Sequence, residues 1–284
     1  MPLVFVPTPL GNLRDVTLRA VDALAQAELI VAEDTRVARK LMRALDLRAP
    51  QIWSYREQNA RQVTAAIVER AKVAFVAVTS DAGMPGISDP GSELIAAARE
   101  AGVGVEVLPG PSAAIGVALL SGFSLRRFVF EGFPPRTGTA RRESFARALH
   151  AEITTIWYES PRRIAAALRD LSEVAPDSEV FLVREYTKIH EQQCWGTPLS
   201  VLAQLPEPAR GEVAFAIAPY RARSQTPVAN VGGAIDALLA DGRRVGEIAK
   251  LLAARGFGDR QQLYARASAR KAQSKAPIKD ARRT

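Results

Sequence analysis

Ser80-Asp81-Ala82-Gly83-Met84-Pro85-Gly86-Ile87-Ser88-Asp89-Pro90-Gly91 is the stretch on which the fold turns. It follows the apolar run 75–79 and leads into an amphipathic pattern over 91–101, so it reads as a long loop at the carboxyl end of a buried strand. Glycine lets backbone approach a ligand closely, and proline fixes the shape of a loop. Two further Gly/Pro turns stand in equivalent places. Thr8-Pro9-Leu10-Gly11-Asn12 follows the run 3–6, and Pro109-Gly110-Pro111-Ser112-Ala113 follows the run 105–108. Open parallel sheets bind ligands in the crevice beyond the carboxyl ends of their strands. One such loop is as readily a plain tight turn; three on one rim point to a ligand crevice.

Outward from these loops, the first half alternates short apolar runs with helical patterns. The runs 3–6, 29–32, 52–55, 75–79 and 105–108 read as strands, with helices expected near 17–26, 35–44, 60–72 and 91–101. Helix-length crossovers between strands predict a parallel sheet covered on both faces. The rhythm changes after Gly122-Phe123. Strands are expected at 128–131, 153–158, 179–184, 190–195 and 213–218, with fewer helices between them, and 190–195 follows so closely that it predicts an antiparallel pair with 179–184. The expected organisation is an α/β chain of three parts. An N-terminal parallel α/β domain spans 1–123, a second mixed α/β domain spans 124–220, and a linker and basic helical tail span 221–284. Within the tail, 219–227 is a linker by composition and a helix is expected around 245–254. Arg255-Gly256-Phe257-Gly258 closes that helix, and Asp259 caps another over 260–271. The glycine turn between the two helices is a weak helix-turn-helix signal, and 271 onward reads as polar and disordered.

The net charge is +8, and its location says more than its size. From 243 to 284, twelve Lys and Arg stand against Glu247, Asp259 and Asp280, while the rest of the chain holds 26 basic and 27 acidic residues. The body is neutral and the tail holds the excess. Such a tail is either a solvated appendage or a polyanion contact; release of condensed counterions favours nucleic acid. The single Cys excludes a disulfide framework, and with two His there is no usual zinc cluster, so no metal is expected. The start, Met1-Pro2-Leu3-Val4-Phe5-Val6-Pro7, has neither a basic leader nor an apolar run long enough for a membrane span. The expected setting is cytoplasmic, with no membrane partner. No G-x-G-x-x-G follows the first strand and no G-x-x-x-x-G-K-[ST] occurs, which argues against a Rossmann dehydrogenase or a P-loop enzyme.

Taken together, the strings 7–15 (PTPLGNLRD), 32–36 (AEDTR), 80–91 (SDAGMPGISDPG), 109–113 (PGPSA), 158–161 (YESP) and 184–188 (REYTK) resemble the tetrapyrrole-methylase-like superfamily of S-adenosylmethionine enzymes. Within it they resemble the branch that methylates a cytidine 2′-hydroxyl in small-subunit ribosomal RNA. The strings run in the family order through nearly all of 3–218, and the twelve-residue one is the most specific. Met84 stands where a smaller polar residue is usual, and Arg56, Gln58 and Arg162 stand where the family often has His. The resemblance implies that S-adenosylmethionine lies between the two α/β domains of a homodimer. It further implies that Pro9 and Gly11 border the donor, and that Asp81, Ala82, Gly83 and Pro85 line its methionine side. Ser112 and Ala113 would contact it from the last strand of the first sheet, and Tyr158 and Thr187 would come from the second domain.

Methyl transfer from a sulfonium is an in-line displacement, in which alignment supplies on the order of 7–11 kcal/mol. A ribose hydroxyl is a poor nucleophile at neutral pH, so a proton acceptor or an oxyanion stabiliser belongs beside it. Glu159 and Glu185 are candidate acceptors and Lys188 a candidate charge stabiliser, although Lys188 and Glu185 are also spaced for an ordinary ion pair. The three stay open at this point. An RNA acceptor must present an unstacked nucleotide to a deep cleft. The basic segment 134–147 makes Arg136, Arg141 and Arg142 the expected phosphate contacts. The expected partner is small-subunit ribosomal RNA or the small ribosomal subunit. Two alternatives are a tetrapyrrole methyltransferase, against which the cationic tail speaks, and a non-catalytic RNA-binding assembly factor, which has no need of the Gly/Pro crevice.

Overall fold

The structure is a computed structural model that describes residues 2–220, 231–254 and 257–273. The chain divides into two compact units, Met1–Tyr220 and Arg221–Thr284. The first unit holds two five-stranded sheets, and every strand lies within two residues of its expected place.

The first sheet comprises β1 (Leu3–Phe5), β2 (Leu29–Ala32), β3 (Gln51–Ser54), β4 (Val76–Thr79) and β5 (Val105–Val107), all parallel, in the order β3-β2-β4-β1-β5. Strands β1, β2 and β4 are buried at every position, as continuous apolar runs between two helix layers must be. Alternation along β1 sorts the layers. Leu3 and Phe5 pack with α3 (Ala60–Val73) and α4 (Ser92–Glu100), whereas Val4 packs with α1 (Leu18–Gln26) and α2 (Thr35–Ala44) on the opposite face. The chain leaves β1 toward β2 on one side and leaves β4 toward β5 on the other. A crevice therefore opens beyond the carboxyl ends of these two adjacent strands.

The second sheet is mixed. It comprises β6 (Phe128–Gly132), β7 (Thr154–Glu159), β8 (Val180–Arg184), β9 (Gln192–Gly196) and β10 (Val213–Ile217), in the order β6-β7-β10-β8-β9. Only β6 and β7 pair in parallel, and β9 returns antiparallel to β8 as its short connection requires. Helices α6 (Gly138–His150), α7 (Ile164–Val174) and α8 (Pro198–Gln204) cover one face around Trp157, Phe145 and Phe215. The other face is covered by α5 (Ala113–Leu120), whose Ala114, Val117 and Ala118 pack on Ile156, Phe181 and Ala216. Because α5 starts at the third Gly/Pro loop, this packing draws the rim of the first sheet against the second.

The second unit has its own small core. Helices α9 (Val231–Ala240), α10 (Val245–Ala254) and α11 (Arg260–Gln273) bury Ile235, Ile248, Leu252 and Leu263 together. Asp259 Oδ1 accepts from Gln261 N at 2.8 Å and Gln262 N at 3.1 Å, the cap expected from its place before α11. Arg255-Gly256 of the expected glycine turn, most of the linker 219–227 and the tail beyond Gln273 lie outside the described residues. Among the described residues no helix is long and apolar enough to cross a membrane.

Candidate active site

The three Gly/Pro loops meet at one residue. Thr8 and Gly83 form an antiparallel bridge, the Thr8 N–H donating to Gly83 O at 2.9 Å and the Gly83 N–H to Thr8 O at 3.0 Å. The Ser80 hydroxyl donates to the same Gly83 carbonyl at 3.0 Å. Gly83 has φ +78°, and a Cβ there would stand 2.9 Å from Leu10 Cδ2 and 3.5 Å from the Pro111 carbonyl oxygen. Left-handed backbone and close neighbours from both other loops leave room only for glycine.

Beyond this junction lies a cavity of about 420 Å³, a size ordinary for a small-molecule site. The first sheet's loops supply Leu10, Ala82, Met84 and Ala113, and the second sheet supplies Tyr158, Val183, Tyr186 and Ala214. Tyr158 is fixed there, its hydroxyl accepting from Ala114 N at 2.9 Å while Phe130 and Phe133 meet its ring edge-on. The charge of the lining is one-sided. Glu33, Asp81, Asp89, Glu159 and Glu212 face the cavity, and among the described residues no Lys, Arg or His does.

A second, larger chamber of about 1310 Å³ opens beside it over the carboxyl ends of β2 and β3. The two share Glu33, Asp81, Ser88 and Asp89, but the larger one adds Arg36, Arg56 and Arg61 and also Asp34, Glu57 and Glu93. Asp34 Oδ1 accepts from Arg36 Nε at 3.0 Å, and its Oδ2 pairs with Arg36 Nη2 at 2.5 Å. These hydrogen bonds hold the Asp34 carboxyl well below the usual range. Arg56 Nε donates to the Glu33 carbonyl at 2.9 Å. The shared carboxylates behave oppositely. Burial, then the charge of Asp81, raises Glu33; burial raises Asp81 as well. Burial, followed by the charges of Glu33 and Asp81, pushes Asp89 up to about 7.

A family model described as Tetrapyrrole (Corrin/Porphyrin) Methylases matches residues 2–203. The chain belongs to this family. Among similar relatives are proteins named ribosomal RNA small subunit methyltransferase I from three organisms. The Thermotoga maritima protein is 40% identical over 67% of this chain and 85% of its own. The Synechocystis protein is 37% identical over 92% and 95%, and the Mycobacterium bovis protein 37% identical over 92% and 93%. The crystal structure of diphthine synthase has the same fold, with a TM-score of 0.60 at 15% identity, covering 77% of this chain and 90% of that one.

For this tetrapyrrole methylase family member, Asp81, Ala82, Gly83, Ser112, Ala113, Tyr158 and Glu159 line the smaller cavity as a group. Pro9, Gly11, Pro85 and Thr187 are not among its lining residues. Pro9 and Gly11 flank Leu10, which is the residue of that loop that faces the cavity. A Cβ on Gly11 would collide with the Lys188 side chain and lie 3.1 Å from Thr187 Oγ1. Thr187 Oγ1 in turn accepts from Asn12 N at 3.2 Å, so this contact fastens the first loop to the second sheet.

The candidate acid–base residues are more tightly bound than their spacing suggested. Glu159 is 2% exposed, with Oε1 accepting from Ser160 N at 2.7 Å and Oε2 paired with Arg163 Nη2 at 2.9 Å. Glu185 lies outside the cavity wall in left-handed backbone, φ +55°; its Oε1 accepts from Lys188 Nζ and from Glu212 N, each at 2.9 Å. Burial pushes Glu185 up, but these bonds outweigh it and hold the carboxyl below its ordinary value. Lys188 also reaches Glu212 Oε2 at 2.9 Å; burial pulls it down, yet its two carboxylates hold it above the usual lysine value. The ordinary ion pair is therefore present, and Lys188 meets the cavity only through Glu212.

The expected phosphate contacts divide. Arg136 is exposed. Arg141 is 5% exposed and its Nε donates to Asp170 Oδ2 at 2.6 Å, so its guanidinium ties α6 to α7 and has no face for phosphate. Arg142 pairs with the same Asp170 at 2.7 Å and with Glu173 at 3.4 Å. The phosphate expectation is withdrawn for Arg141, and Arg142 is half-buried in a structural pair. Residues that sequence reasoning did not single out are Glu33, Asp89, Tyr186 and Glu212. Glu33 and Asp89 stood inside quoted strings; Glu212 had no local signal.

Proposed function

We propose that this chain is an S-adenosylmethionine-dependent methyltransferase that modifies the 2′-hydroxyl of a cytidine in small-subunit ribosomal RNA. The observation that carries the reading is that, of two adjoining acidic spaces, one has no basic side chain among the described residues while the other holds three arginines. A cavity with five carboxylates, three aromatic rings and, among the described residues, no basic side chain suits a sulfonium donor with its flat base. The donor supplies an activated methyl group when bound. Asp81, Glu33 and Glu212 offer negative charge to its cationic groups, while Leu10, Ala82, Met84 and Ala214 give its apolar parts a dry wall. Tyr158 and Tyr186 offer rings for the base.

In the larger chamber Arg36 and Arg56 pair with Asp34, but exposed Arg61 makes no ion pair among the described residues and can meet a phosphate, and relatives covering 92% of the chain bear a ribosomal RNA methyltransferase name. Exposed Arg136 and the cationic tail add further phosphate contacts. We read the protein as a homodimer, since Ile115 and Leu119 of α5, 56% and 73% exposed, and Val107 on the edge strand β5 form apolar surface that a second copy would cover. Light scattering that gave one chain's mass would remove the dimer from this account.

The test of function is transfer of labelled methyl from S-adenosylmethionine to assembled small subunits, free ribosomal RNA and porphyrinogens in parallel. Label is expected on subunits or RNA, and mass spectrometry is expected to place it on a cytidine ribose. Label on porphyrinogen alone, or none with any acceptor, would overturn the reading.

A further inference from the structure

The reaction needs a group to take the hydroxyl proton, and the geometry disqualifies the acidic residues that spacing favoured. Both oxygens of Glu159 are engaged, by Ser160 N and by Arg163. Glu185 lies behind the wall, clasped by Lys188 and the Glu212 amide. Glu212 reaches the cavity but is itself paired with Lys188. Of the carboxylates on both chambers, Asp81 Oδ1 accepts from Asp34 N at 3.0 Å and Asp34 is clamped by Arg36. Glu33 and Asp89 are different: neither carboxylate makes a hydrogen bond or ion pair among the described residues, and both border both spaces, but Glu33 stands within the charge of Arg56, whereas Asp89 is more deeply buried beside Glu33 and Asp81 with no such cation acting on it.

We propose that Asp89 is the proton acceptor of methyl transfer, presented where the arginine-lined chamber opens into the donor cavity, so that a hydroxyl entering from the chamber meets Asp89 and the methyl group together. This rests on the methyltransferase reading of the site.

The surroundings match the task. Glu33 from the β2 end and Asp81 from its own loop act on Asp89, Asp89 in turn acts on Tyr158 of β7, and Arg36, Arg56 and Glu93 line the same chamber. Glu33 and Asp81 disfavour a further negative charge, which helps burial to hold the carboxyl near neutrality, where a general base is most effective. In the step, the hydroxyl O–H bond breaks and its proton goes to Asp89 Oδ. The electron pair left on oxygen forms the bond to the methyl carbon, as the carbon–sulfur pair withdraws onto sulfur. Asp89 then returns the proton to solvent through the open chamber. Ser88, held at φ +62° beside it, is a second constraint on where the carboxylate points.

The test compares the wild-type chain with Asp89→Asn, which keeps shape and removes basicity, and Asp89→Glu, which restores a carboxylate. With small subunits as acceptor, Asp89→Asn should lower kcat on the order of a hundredfold or more, with Asp89→Glu recovering part of it. The wild-type kcat/KM profile should fall on the acid side of about pH 7, and the residual activity of Asp89→Asn should lack that limb. Two readouts need no turnover. Calorimetric affinity for S-adenosylhomocysteine should stay within about threefold in Asp89→Asn, and the carbon-13 resonance missing from that variant should titrate near pH 7 in the wild type.

A kcat within about threefold of wild type, loss of S-adenosylhomocysteine binding, or a carboxyl titrating below pH 5 would each overturn the assignment. A wild-type chain that neither binds S-adenosylhomocysteine nor methylates any acceptor would instead count against the methyltransferase reading itself.

Discussion

The smaller cavity and the larger chamber share four residues and almost nothing else. One is narrow, apolar and aromatic, and among the described residues its only charges are acidic; the other is three times larger and adds three arginines together with Asp34, Glu57 and Glu93. Both are built by loops leaving the same sheet edge, and what separates them is what covers each loop. The second sheet roofs the loops after β1, β4 and β5, while the ends of β2 and β3 stay uncovered. The roofed side, with acidic groups and no basic side chain among the described residues, is the one we propose for the sulfonium donor, and the uncovered side, which holds arginines, the one we propose for the RNA. The carboxylates repeat the contrast at the scale of one residue. Asp34, hydrogen-bonded by Arg36, is held ionised, whereas Asp89, buried beside Glu33 and Asp81, is pushed up to about 7.

Charge reversal within the smaller cavity should break the comparison most severely. Asp81→Lys sets a cation among the groups that would hold the donor, and we expect loss of about 3–5 kcal/mol of S-adenosylmethionine binding, read by calorimetry. Binding within tenfold of wild type would show that the acidic lining does not select the donor. A contrast of similar size separates the buried arginine from the chamber arginines. Arg141→Met strands Asp170 without its buried partner, so chemical denaturation should show about 3 kcal/mol less stability, with donor affinity of the folded protein unchanged.

Arg61→Glu, on the exposed side of the larger chamber, should act the other way. Affinity for ribosomal RNA should fall roughly tenfold at low salt and the salt slope should shrink by about 1–2, with stability and donor binding intact. An unchanged salt slope would move the RNA path away from this chamber.

That Arg141 and Arg61 play such different parts was not legible along the chain. The strands were, because runs such as Leu29–Ala32 and Val76–Thr79 are apolar throughout and bounded by Gly/Pro turns. The meeting of three loops was legible too, because Gly83 and its companions have few other reasons to recur at strand ends. Arg141 was misjudged because its partner Asp170 lies 29 residues away on another helix, and local sequence shows a basic stretch either way. Glu185 failed as a candidate for the same reason, since the Glu212 amide that clasps it is 27 residues distant. Asp89 was quoted within its motif and passed over. Its distinction is being buried beside two other carboxylates with no cation near enough to offset them, and only the folded arrangement creates that.

Smaller effects sharpen the picture. The folded-state value of Asp89 is raised above that of an unfolded chain, so the fold is favoured with the group neutral. That stability is present at acid pH and is lost as pH rises through the range from about 4 to about 7. Asp89→Asn escapes this loss, so its stability advantage over wild type should grow across that window to about 1–2 kcal/mol after solvent screening. Asp34 has the opposite sign, its contribution disappearing as the solution becomes strongly acidic. Smallest of all, Asp259→Ala should remove about 1 kcal/mol from the helical unit through loss of its cap, seen as a lower melting point for that unit with no change in donor affinity.

The most direct test of the charge-sorted pair of spaces is one calorimetric series: S-adenosylmethionine titrated into wild type, Asp81→Lys and Arg61→Glu under identical conditions. The account predicts one site per chain in wild type, the same affinity in Arg61→Glu, and no measurable binding in Asp81→Lys. Equal affinity in all three, or equal loss in both variants, would contradict it.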